Sequence, residues 1–406
     1  MTTTGMEPEI EIPATSVDPE AEKEKGKRRR LLLLLLLLLL ICCCLAYFIG
    51  RYLLKPGPLP EMLPPPVVEV INYPPTYKFS ITGVDGPVGV AVSPDGTRVY
   101  VAESRGERLI KMFDRDGNLI KGFAPHGTTK STREPRYLAV DASGRVFLTD
   151  RLNNVIDIFD ADGNYLDAIL APDMTLTKLL SSNIPGGLQA GTVFFYEGIN
   201  KIAYYQLTDG TEGSVQVVPS SLPWSPLGLS FDPQGNLLYT DLTLEKHSVH
   251  IIPAASLAEP LISFNPTIAE FGVQGKEAGQ VDFPNDAVVD KRGNIYVSDG
   301  NNARISAWGP DFKYRSFFGF GSNDESLNLP RGMWMDEKDH LHVVDAVGAT
   351  IRVYDVSGDE PKFLYTFGSY GLTEGLFAFP NDITIDGTGR LYIADRENNR
   401  IQVWSY

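Results

Sequence analysis

Cysteine is almost absent from this sequence. Its 406 residues include three cysteines, Cys42, Cys43 and Cys44, and all of them lie inside one apolar run. The rest of the chain therefore has no disulfide framework, no cysteine metal site and no cysteine nucleophile. A G-x-S-x-G motif in a strand-to-helix setting is also lacking, so nothing indicates the serine nucleophile of that kind of hydrolase.

A surplus of positive charge is lacking as well. Lys and Arg number 36 against 51 Asp and Glu, which gives a formal net charge of -15. Phosphate backbones bind to basic surface patches, so this balance argues against a nucleic-acid partner. Glycine and proline are plentiful, with 38 Gly and 29 Pro, and 43% of the residues are hydrophobic. This composition predicts a large core with many turns and an all-β fold.

An unbroken apolar run, LLLLLLLLLLICCCLAYFI, occupies residues 31–49. Its length is that of a helix crossing the hydrocarbon core of a bilayer. The basic residues flank it unevenly: Lys23, Lys25, Lys27, Arg28, Arg29 and Arg30 precede it, whereas Arg51 and Lys55 follow it closely. The positive-inside rule predicts a single-pass protein of the cell membrane, with its N-terminus in the cytoplasm and everything after residue 50 outside.

Two alternatives to an uncleaved anchor remain open at this point. A cleaved signal peptide usually has a short basic region and an A-x-A-like cleavage site, and no such site follows this run. A lipid-anchored Cys42 would usually follow a small residue, but Ile41 stands there. The sequence favours a transmembrane helix over residues 31–50.

Composition divides the chain into four parts. Residues 1–30 are polar and charged, which predicts a disordered cytoplasmic tail before the transmembrane helix at 31–50. Residues 51–76 contain PGPLPEMLPPP, and this proline density predicts a semi-rigid, extended stalk. Residues 77–406 are expected to form the folded domain.

The folded part repeats itself. The plainest copies are PNDAVVDKRGNIYVSDGNNARISAW, PNDITIDGTGRLYIADRENNRIQVW and PRGMWMDEKDHLHVVDAVGATIRVYD, and three further segments resemble them. Each contains a proline, a short apolar strand, a turn with Gly or Asp, and two strands of alternating polarity. Such repetition is typical of propellers and arrays.

An acidic residue closes the second strand of each copy, and these residues are Glu103, Asp150, Asp241, Asp299, Asp345 and Asp395. The gap between Asp150 and Asp241 is long enough to hold two units. Glu197 in GTVFFYEGINKIAYYQL lies near the middle of this gap. We therefore predict seven units, of which the third, beginning near Gly186, is degenerate.

A fourth strand follows in several units, as in NLIKGF, KYRSFF and KFLYTF. Four strands repeated around an axis predict an all-β propeller with four-stranded blades. The last unit stops at Tyr406 after three strands. The strand-like YKFSITG, residues 77–83, is predicted to supply the fourth and to close the ring, because this pairing removes two exposed sheet edges.

These units resemble the NHL-repeat β-propellers, whose repeats show the same P-x-G/D, apolar strand, D-x-x-G-x-I/L-Y-V-x-D and N-x-x-I pattern. The linkers FGVQGKEAGQVDFP and FGSYGLTEGLFAFP are similar to the connector of that family. The resemblance covers residues 77–406. Six blades are common in the family, so it implies that six are possible in place of seven. Since these propellers include scaffolds, ligand binders and enzymes, the resemblance implies a fold more than a function.

The residue after each proline is predicted to lie near the central channel, and these positions hold Val88, Arg136, Leu227, Asn285, Arg331 and Asn381. The two asparagines either cap turns or bind a ligand. Gluconolactonase-like hydrolases, a related group, hold a divalent cation with Asn and acidic side chains at similar positions, and such a cation needs several oxygen ligands. Arginines in the ring would repel a cation, which disfavours a metal-dependent hydrolase.

His340 and His342 in HLHVVD lie on one face of a strand, where they are weak candidates for metal ligands. The amidating lyases, whose propellers are related, use histidine-bound zinc. No third ligand follows from the spacing here. The favoured interpretation is a pair of strand histidines without a metal, and no cofactor is expected.

The sequence thus favours a binding or scaffolding module whose partner is a protein, a peptide or a small anion; the alternative is a propeller enzyme, a hydrolase or lyase using the channel. Asp286 and Asp382 come from the units on either side of Arg331, so both are expected to pair with it. Arg136 has no acid at the corresponding place beside it. We expect Arg136 to stay free for a carboxylate or phosphate, with Asn285 and Asn381 as hydrogen-bond partners.

Overall fold

The structure is a computed structural model that describes residues 19–54, 74–125, 128–169, 175–179, 193–198, 201–206, 224–258, 269–322 and 325–406. The chain divides into two compact units, Met1–Val70 and Ile71–Tyr406.

A long helix, α1, runs over Pro19–Leu54 in the first unit. Its segment Gly26–Tyr47 has 22 residues with a mean hydropathy of 2.8, so it is long and apolar enough to cross a membrane. A membrane anchor and a signal sequence share this property. The helix extends beyond the predicted bounds on both sides, because residues 19–30 and 51–54 are helical too. The Glu, Lys, Arg, Ala and Leu residues of these flanks are strong helix formers that continue the apolar helix.

The second unit is a β-propeller, and its described residues form six four-stranded blades. The first strand in the chain, β1 (Thr76–Ile81), belongs to the last blade. Blade 1 contains β2 (Pro87–Val92), β3 (Arg98–Glu103), β4 (Ile110–Asp114) and β5 (Leu119–Phe123). Blade 2 contains β6 (Pro135–Val140), β7 (Val146–Asp150), β8 (Val155–Phe159) and β9 (Tyr165–Ile169). A separate sheet follows, with β10 (Thr175–Leu179), β11 (Val193–Gly198) and β12 (Lys201–Gln206).

The remaining blades complete the ring. Blade 3 contains β13 (Pro226–Phe231), β14 (Leu237–Asp241), β15 (Ser248–Ile252) and β16 (Ala269–Phe271), with a short helix α2 (Ala254–Ala258) before β16. A small parallel pair, β17 (Val273–Gln274) and β18 (Gln280–Val281), precedes blade 4. Blade 4 contains β19 (Pro284–Val289), β20 (Ile295–Asp299), β21 (Arg304–Trp308) and β22 (Tyr314–Phe318). Blade 5 contains β23 (Pro330–Met335), β24 (His340–Asp345), β25 (Thr350–Asp355) and β26 (Lys362–Phe367), and blade 6 contains β27 (Pro380–Ile385), β28 (Arg390–Asp395), β29 (Arg400–Ser405) and β1.

The repeated prolines and acids lie side by side in every blade. Each proline begins the innermost strand and is paired in register with the acid that ends the second strand, as Pro284 is with Asp299 and Pro380 with Asp395. The acid accepts a backbone N–H from the segment just before the proline; Asp299, for example, accepts that of Asp282 at 2.6 Å. The acids found from the sequence therefore bind the backbone at the point where the chain enters the innermost strand of each blade.

The core lies between the blades. Six clusters of buried hydrophobic side chains each join two consecutive blades among the described residues, and one of them joins blade 6 to blade 1 through Tyr392, Ile401, Val90 and Val99. Side chains on both faces of every blade are thus buried, which explains the long apolar stretches in the strands. These six interfaces close the ring, which therefore consists of six blades among the described residues.

The prediction of seven blades is wrong. Blades 2 and 3 pack directly on each other, since Phe147 and Tyr239 share one core cluster and the Thr149 hydroxyl donates to the Leu227 carbonyl at 2.8 Å. Glu197 lies within β11 of the separate sheet, whose strands pair with one another. Gly186, near which the degenerate third unit was expected to begin, lies outside the described residues. An acid at the right spacing does not by itself make a blade, because a blade also needs an innermost strand against the channel.

Blade 6 obtains its fourth strand from the other end of the domain. β1 pairs antiparallel with β29, with Thr76 opposite Ser405 and Ile81 opposite Ile401. Its Ile81 side chain is 1% exposed and belongs to the cluster between blades 6 and 1. The structure thus contains the pairing predicted for residues 77–83.

Candidate functional site

The innermost strands of the six blades surround a central channel. We call the end where these strands begin, at their prolines, the proline end, and the other the exit end. The Asn-Asp pairs of blades 4 and 6 lie at the proline end and are buried: Asn285 is 0% and Asp286 3% exposed. Their contacts decide between a ligand site and a structural element.

In blade 4 the pair binds the backbone of blade 5. The Asn285 side-chain amide donates to the Pro330 carbonyl at 3.0 Å and to the Phe283 carbonyl at 3.3 Å. One carboxylate oxygen of Asp286 accepts the Met333 amide at 2.8 Å. The pair therefore connects two blades, a role more specific than the turn cap expected from the sequence.

In blade 6 the same pair binds blade 1. The Asn381 side-chain amide donates to the Val88 carbonyl, and Asp382 accepts the Val90 amide at 2.9 Å. A glycine on the other side makes room, because a Cβ at Gly332 would lie 2.1 Å from Oδ1 of Asp382. The recurrence of these contacts identifies the Asn-Asp motif as an inter-blade connection.

Burial changes the acidity of both aspartates. The protein interior disfavours the charged carboxylate and raises the pKa of Asp286 to about 8, although the Met333 and Ala287 amides favour the charged form. Burial also raises the pKa of Asp382 well above its usual range, and the nearby Asp286 adds to this shift. Burial therefore disfavours ionisation of both carboxyls.

Arg331 does not pair with these acids. Of the described side chains, Asn285 is its hydrogen-bond partner, with Arg331 Nη1 donating to Oδ1 at 3.1 Å. The guanidinium also lies over the Phe379 ring, with Cζ 5.7 Å from the ring centroid. The expected pairing with Asp286 and Asp382 is wrong because both carboxylates point to backbone amides of the next blade.

Arg136 is not free either. Its Nη2 forms an ion pair with Oε1 of Glu134, two residues earlier in the same blade. Burial, together with the positive charges of Arg151, Arg396 and Arg331, lowers the pKa of Arg136 to about 10, so the group remains charged at neutral pH. The expectation failed because only the residue after each proline was compared, and Glu134 lies before Pro135.

Four arginines therefore share the proline end of the channel. We call Arg136, Arg151, Arg331 and Arg396 the arginine mouth. Two of them, Arg151 and Arg396, directly follow Asp150 and Asp395, the acids that close the second strands. Comparing that position around the ring would have revealed them in the sequence.

Two phenylalanine rings contact three of the arginines of the mouth. Cζ of Arg396 lies 5.8 Å from the centroid of Phe379, the ring that Arg331 also contacts, and Cζ of Arg151 lies 6.0 Å from that of Phe283. Guanidinium groups over aromatic faces gain cation–π attraction. Phe283 and Phe379 have φ of 58° and 52°, a left-handed conformation that costs a residue with a side chain about 1–2 kcal/mol. The fold maintains this conformation at the two rings that the arginines contact.

His340 and His342 both contact Asp336, at 3.2 and 3.5 Å from its Oδ2. The hydrogen bond with Asp336 raises the pKa of His340, whereas burial lowers the pKa of His342, which is fully buried. Across the described residues, no group of three or more His, Cys, Asp or Glu side chains is placed to hold a metal ion.

The donor set at the proline end also does not fit the divalent cation implied by gluconolactonase-like hydrolases. The Asn285 side-chain oxygen already accepts from Arg331, and both aspartates are occupied by backbone amides. Four guanidinium groups nearby repel a cation. These side chains are arranged to attract negative charge.

Comparisons with known proteins agree with this fold. A family profile described as NHL repeat matches residues 377–404, in blade 6, and one described as SMP-30/Gluconolactonase/LRE-like region matches residues 70–183. NHL repeat-containing protein 3 of Mus musculus is 31% identical over 87 residues, which are 21% of this chain and 25% of that protein. The Homo sapiens protein of the same name is 30% identical over 87 residues. The matched part thus spans a quarter of these relatives.

A solved structure, virginiamycin B lyase from Staphylococcus aureus, is similar with a TM-score of 0.50 and 16% identity, over 81% of this chain and 98% of that one. At this identity the likeness shows the fold alone. The fold and the channel define a six-bladed β-propeller with an arginine-lined opening. The NHL match in blade 6 and the NHL relatives confirm the NHL-repeat resemblance found in the sequence.

Proposed function

We propose that this chain is a membrane-anchored binding module that displays its propeller outside the cytoplasm and binds an anionic ligand at the arginine mouth. The convergence of four guanidinium groups at one end of the channel carries this proposal. The ligand class is a small molecule or an exposed peptide group bearing carboxylate or phosphate.

The charge at the arginine mouth is not balanced by its neighbours. Glu134 pairs with Arg136, and Glu397 lies 3.7 Å from Arg396. Glu397, however, is already bound through both oxygens to Arg105, at 2.6 and 2.7 Å. Positive charge therefore remains for a ligand in a protein whose net charge is -15.

The arginines are accessible and offer suitable donors. Arg151 is exposed, and the other three are partly exposed. A planar guanidinium can give two parallel hydrogen bonds to a carboxylate or phosphate, which favours these groups over a spherical anion.

The membrane anchor rests on the segment Gly26–Tyr47 and its flanks. Lys23 to Arg30 supply basic residues on one side, while Arg51 and Lys55 follow on the other. This asymmetry supports an N-terminus in the cytoplasm and a propeller outside the cell membrane. The propeller would then meet ligands or partner proteins outside the cell.

Calorimetry on the full chain in lipid nanodiscs tests the binding site. Inorganic phosphate, citrate and galacturonate serve as probes, and we expect at least one to release heat. Arg151→Ala and Arg396→Ala should each weaken its binding by about tenfold, since a hydrogen bond to a charged group contributes about 1.5–3 kcal/mol. Arg315→Ala is the matched control, because Arg315 is an exposed arginine paired with Asp311 on the outer strand of blade 4. Equal affinities for all four proteins, or no heat with any probe, would contradict the proposal.

A metal-dependent hydrolase or lyase is the competing function, favoured by the match of residues 70–183 to the gluconolactonase-like profile. Metal analysis of the purified protein and lactone hydrolysis with added divalent cations test it directly. We expect neither a stoichiometric metal nor turnover, because the polar groups at the proline end attract anions. A bound metal whose removal abolishes turnover would establish the enzyme.

A further inference from the structure

A second concave site lies at the exit end of the channel. It is a cavity of 390 Å³ to which all six blades contribute side chains. This volume is in the range of small-molecule sites in proteins. It lies beyond the Asn-Asp layer and contains none of the four arginines of the mouth.

Its walls are apolar, and burial disfavours ionisation of the carboxyls at its floor. Phe231, Met333 and Trp334 are among the wall residues. The floor consists of Asp286 and Asp382, whose carboxyls are held by the inter-blade bonds and whose pKa values are raised by burial. Since charge on these carboxyls is disfavoured, the floor suits an apolar group better than two freely ionised carboxylates would.

The opening of the cavity has the opposite charge to the arginine mouth. Its acidic rim consists of Asp232, Asp336, Glu337 and Asp339, and it is opposed by one lysine, Lys291. Burial opposes ionisation of Asp336, but hydrogen bonds with His340 and His342 outweigh it and lower the pKa of this carboxyl. A positive group at the rim gains from these charges.

One further feature of the cavity suits a cation. Trp334 adds an aromatic face near the rim, and tryptophan is the strongest cation–π partner among side chains.

We propose that the exit-end cavity binds a small organic cation, with its apolar body against the walls and its ammonium group at the acidic rim. The apolar walls favour a ligand with an apolar body, and the acidic rim favours a ligand with a positive charge. This site is independent of anion binding at the arginine mouth, because the two sites share no charged residue and prefer opposite charges.

Two probes with the same body separate these contributions: 3-phenylpropylammonium and the uncharged 3-phenylpropan-1-ol. Their affinities are measured by calorimetry on the full chain in zwitterionic nanodiscs, with empty nanodiscs as the blank. We expect the ammonium to bind about threefold or more tightly than the alcohol, and less so at high salt, because rim charges are screened. Trp334→Leu should weaken both probes.

Glu337→Gln is the decisive variant. Its side chain is exposed, so the substitution leaves the fold intact. It should weaken the binding of the ammonium by about threefold and leave that of the alcohol unchanged, since an exposed ion pair contributes only modestly to affinity. Glu360→Gln, at an exposed position outside the cavity in the same blade, is the matched control and should change neither affinity. The proposal is overturned if the ammonium does not bind, if both probes bind equally, or if the two glutamate variants behave alike.

Discussion

The carboxylate of Asp382 in blade 6 accepts the backbone amide of Val90 in blade 1, at 2.9 Å. This bond joins the last blade to the first at the channel, whereas Ile81 of β1 packs in the hydrophobic cluster between them. The same contact recurs between Asp286 and Met333 of blades 4 and 5. Asp286 and Asp382 thus connect neighbouring blades beside the channel, and their burial makes ionisation of both side chains costly.

We predict that these buried carboxyls make the propeller less stable as pH rises. The pKa of Asp286 is raised to about 8 in the folded protein, while an unfolded aspartate titrates near about 3.9. Between these values the folded state binds more protons, so the free energy of unfolding falls with increasing pH, by at most about 1.4 kcal/mol per pH unit for one group. Denaturant unfolding from pH 5 to pH 8 measures this slope.

Asp286→Asn isolates the contribution of this group. The free energy of unfolding of this variant, minus that of the unmodified protein, should rise steadily between pH 5 and pH 8. A cost of the substitution that does not depend on pH leaves this slope unchanged. The stability of Asp311→Asn, at an exposed ion pair on the outer edge of blade 4, should change with pH in parallel with that of the unmodified protein. Parallel curves for Asp286→Asn as well would show that Asp286 is ionised in the folded state.

Strand β1, the outer strand of blade 6, gives a second prediction. Ile81→Ala should lower the free energy of unfolding by about 2–5 kcal/mol, because it removes a buried side chain between blades 6 and 1. Lys78→Ala on the same strand is exposed and should have little effect. If Ile81→Ala and Lys78→Ala melt at the same temperature, β1 does not contribute to closing the ring.

The strands and their boundaries were predictable because their signals are local. Pro284 and Asp299 mark the start and end of two neighbouring strands, and alternation between them sets the faces. Contacts across the ring were not predictable, because sequence spacing does not show toward which neighbour a side chain points. Asp382 binds Val90, which is almost at the other end of the domain, and Glu134 was overlooked although it is two residues from Arg136. The prediction of an additional third blade failed for a related reason, since Glu197 matched the spacing but lies in a separate sheet, while blades 2 and 3 pack directly on each other.

The orientation of the anchor gives a third prediction. Replacing Lys25, Lys27, Arg28, Arg29 and Arg30 with glutamine should weaken or invert the proposed topology, because the basic flank fixes the cytoplasmic side. Protease added to intact cells should digest the propeller of the unmodified protein and spare that of the variant. Replacing Arg51 and Lys55 with glutamine is the control and should retain the original topology. Protection of the unmodified propeller would contradict the proposed orientation.

The last prediction concerns the glutamate inside the arginine mouth. Glu134 occupies Arg136 as an internal anion, so a ligand must compete with it for that guanidinium. Glu134→Gln removes this competing charge but retains the backbone amide that donates to Asp150 at 2.9 Å, so the start of blade 2 stays in place. The affinity for the anion that binds best should therefore rise, by about threefold to tenfold at low salt, and the gain should shrink as salt screens the charges. Glu107→Gln, at an exposed ion pair with Lys130, is the control and should leave the affinity unchanged. An unchanged or lower affinity in Glu134→Gln would mean that Arg136 does not reach the ligand, and it would confine the binding site to Arg151, Arg331 and Arg396.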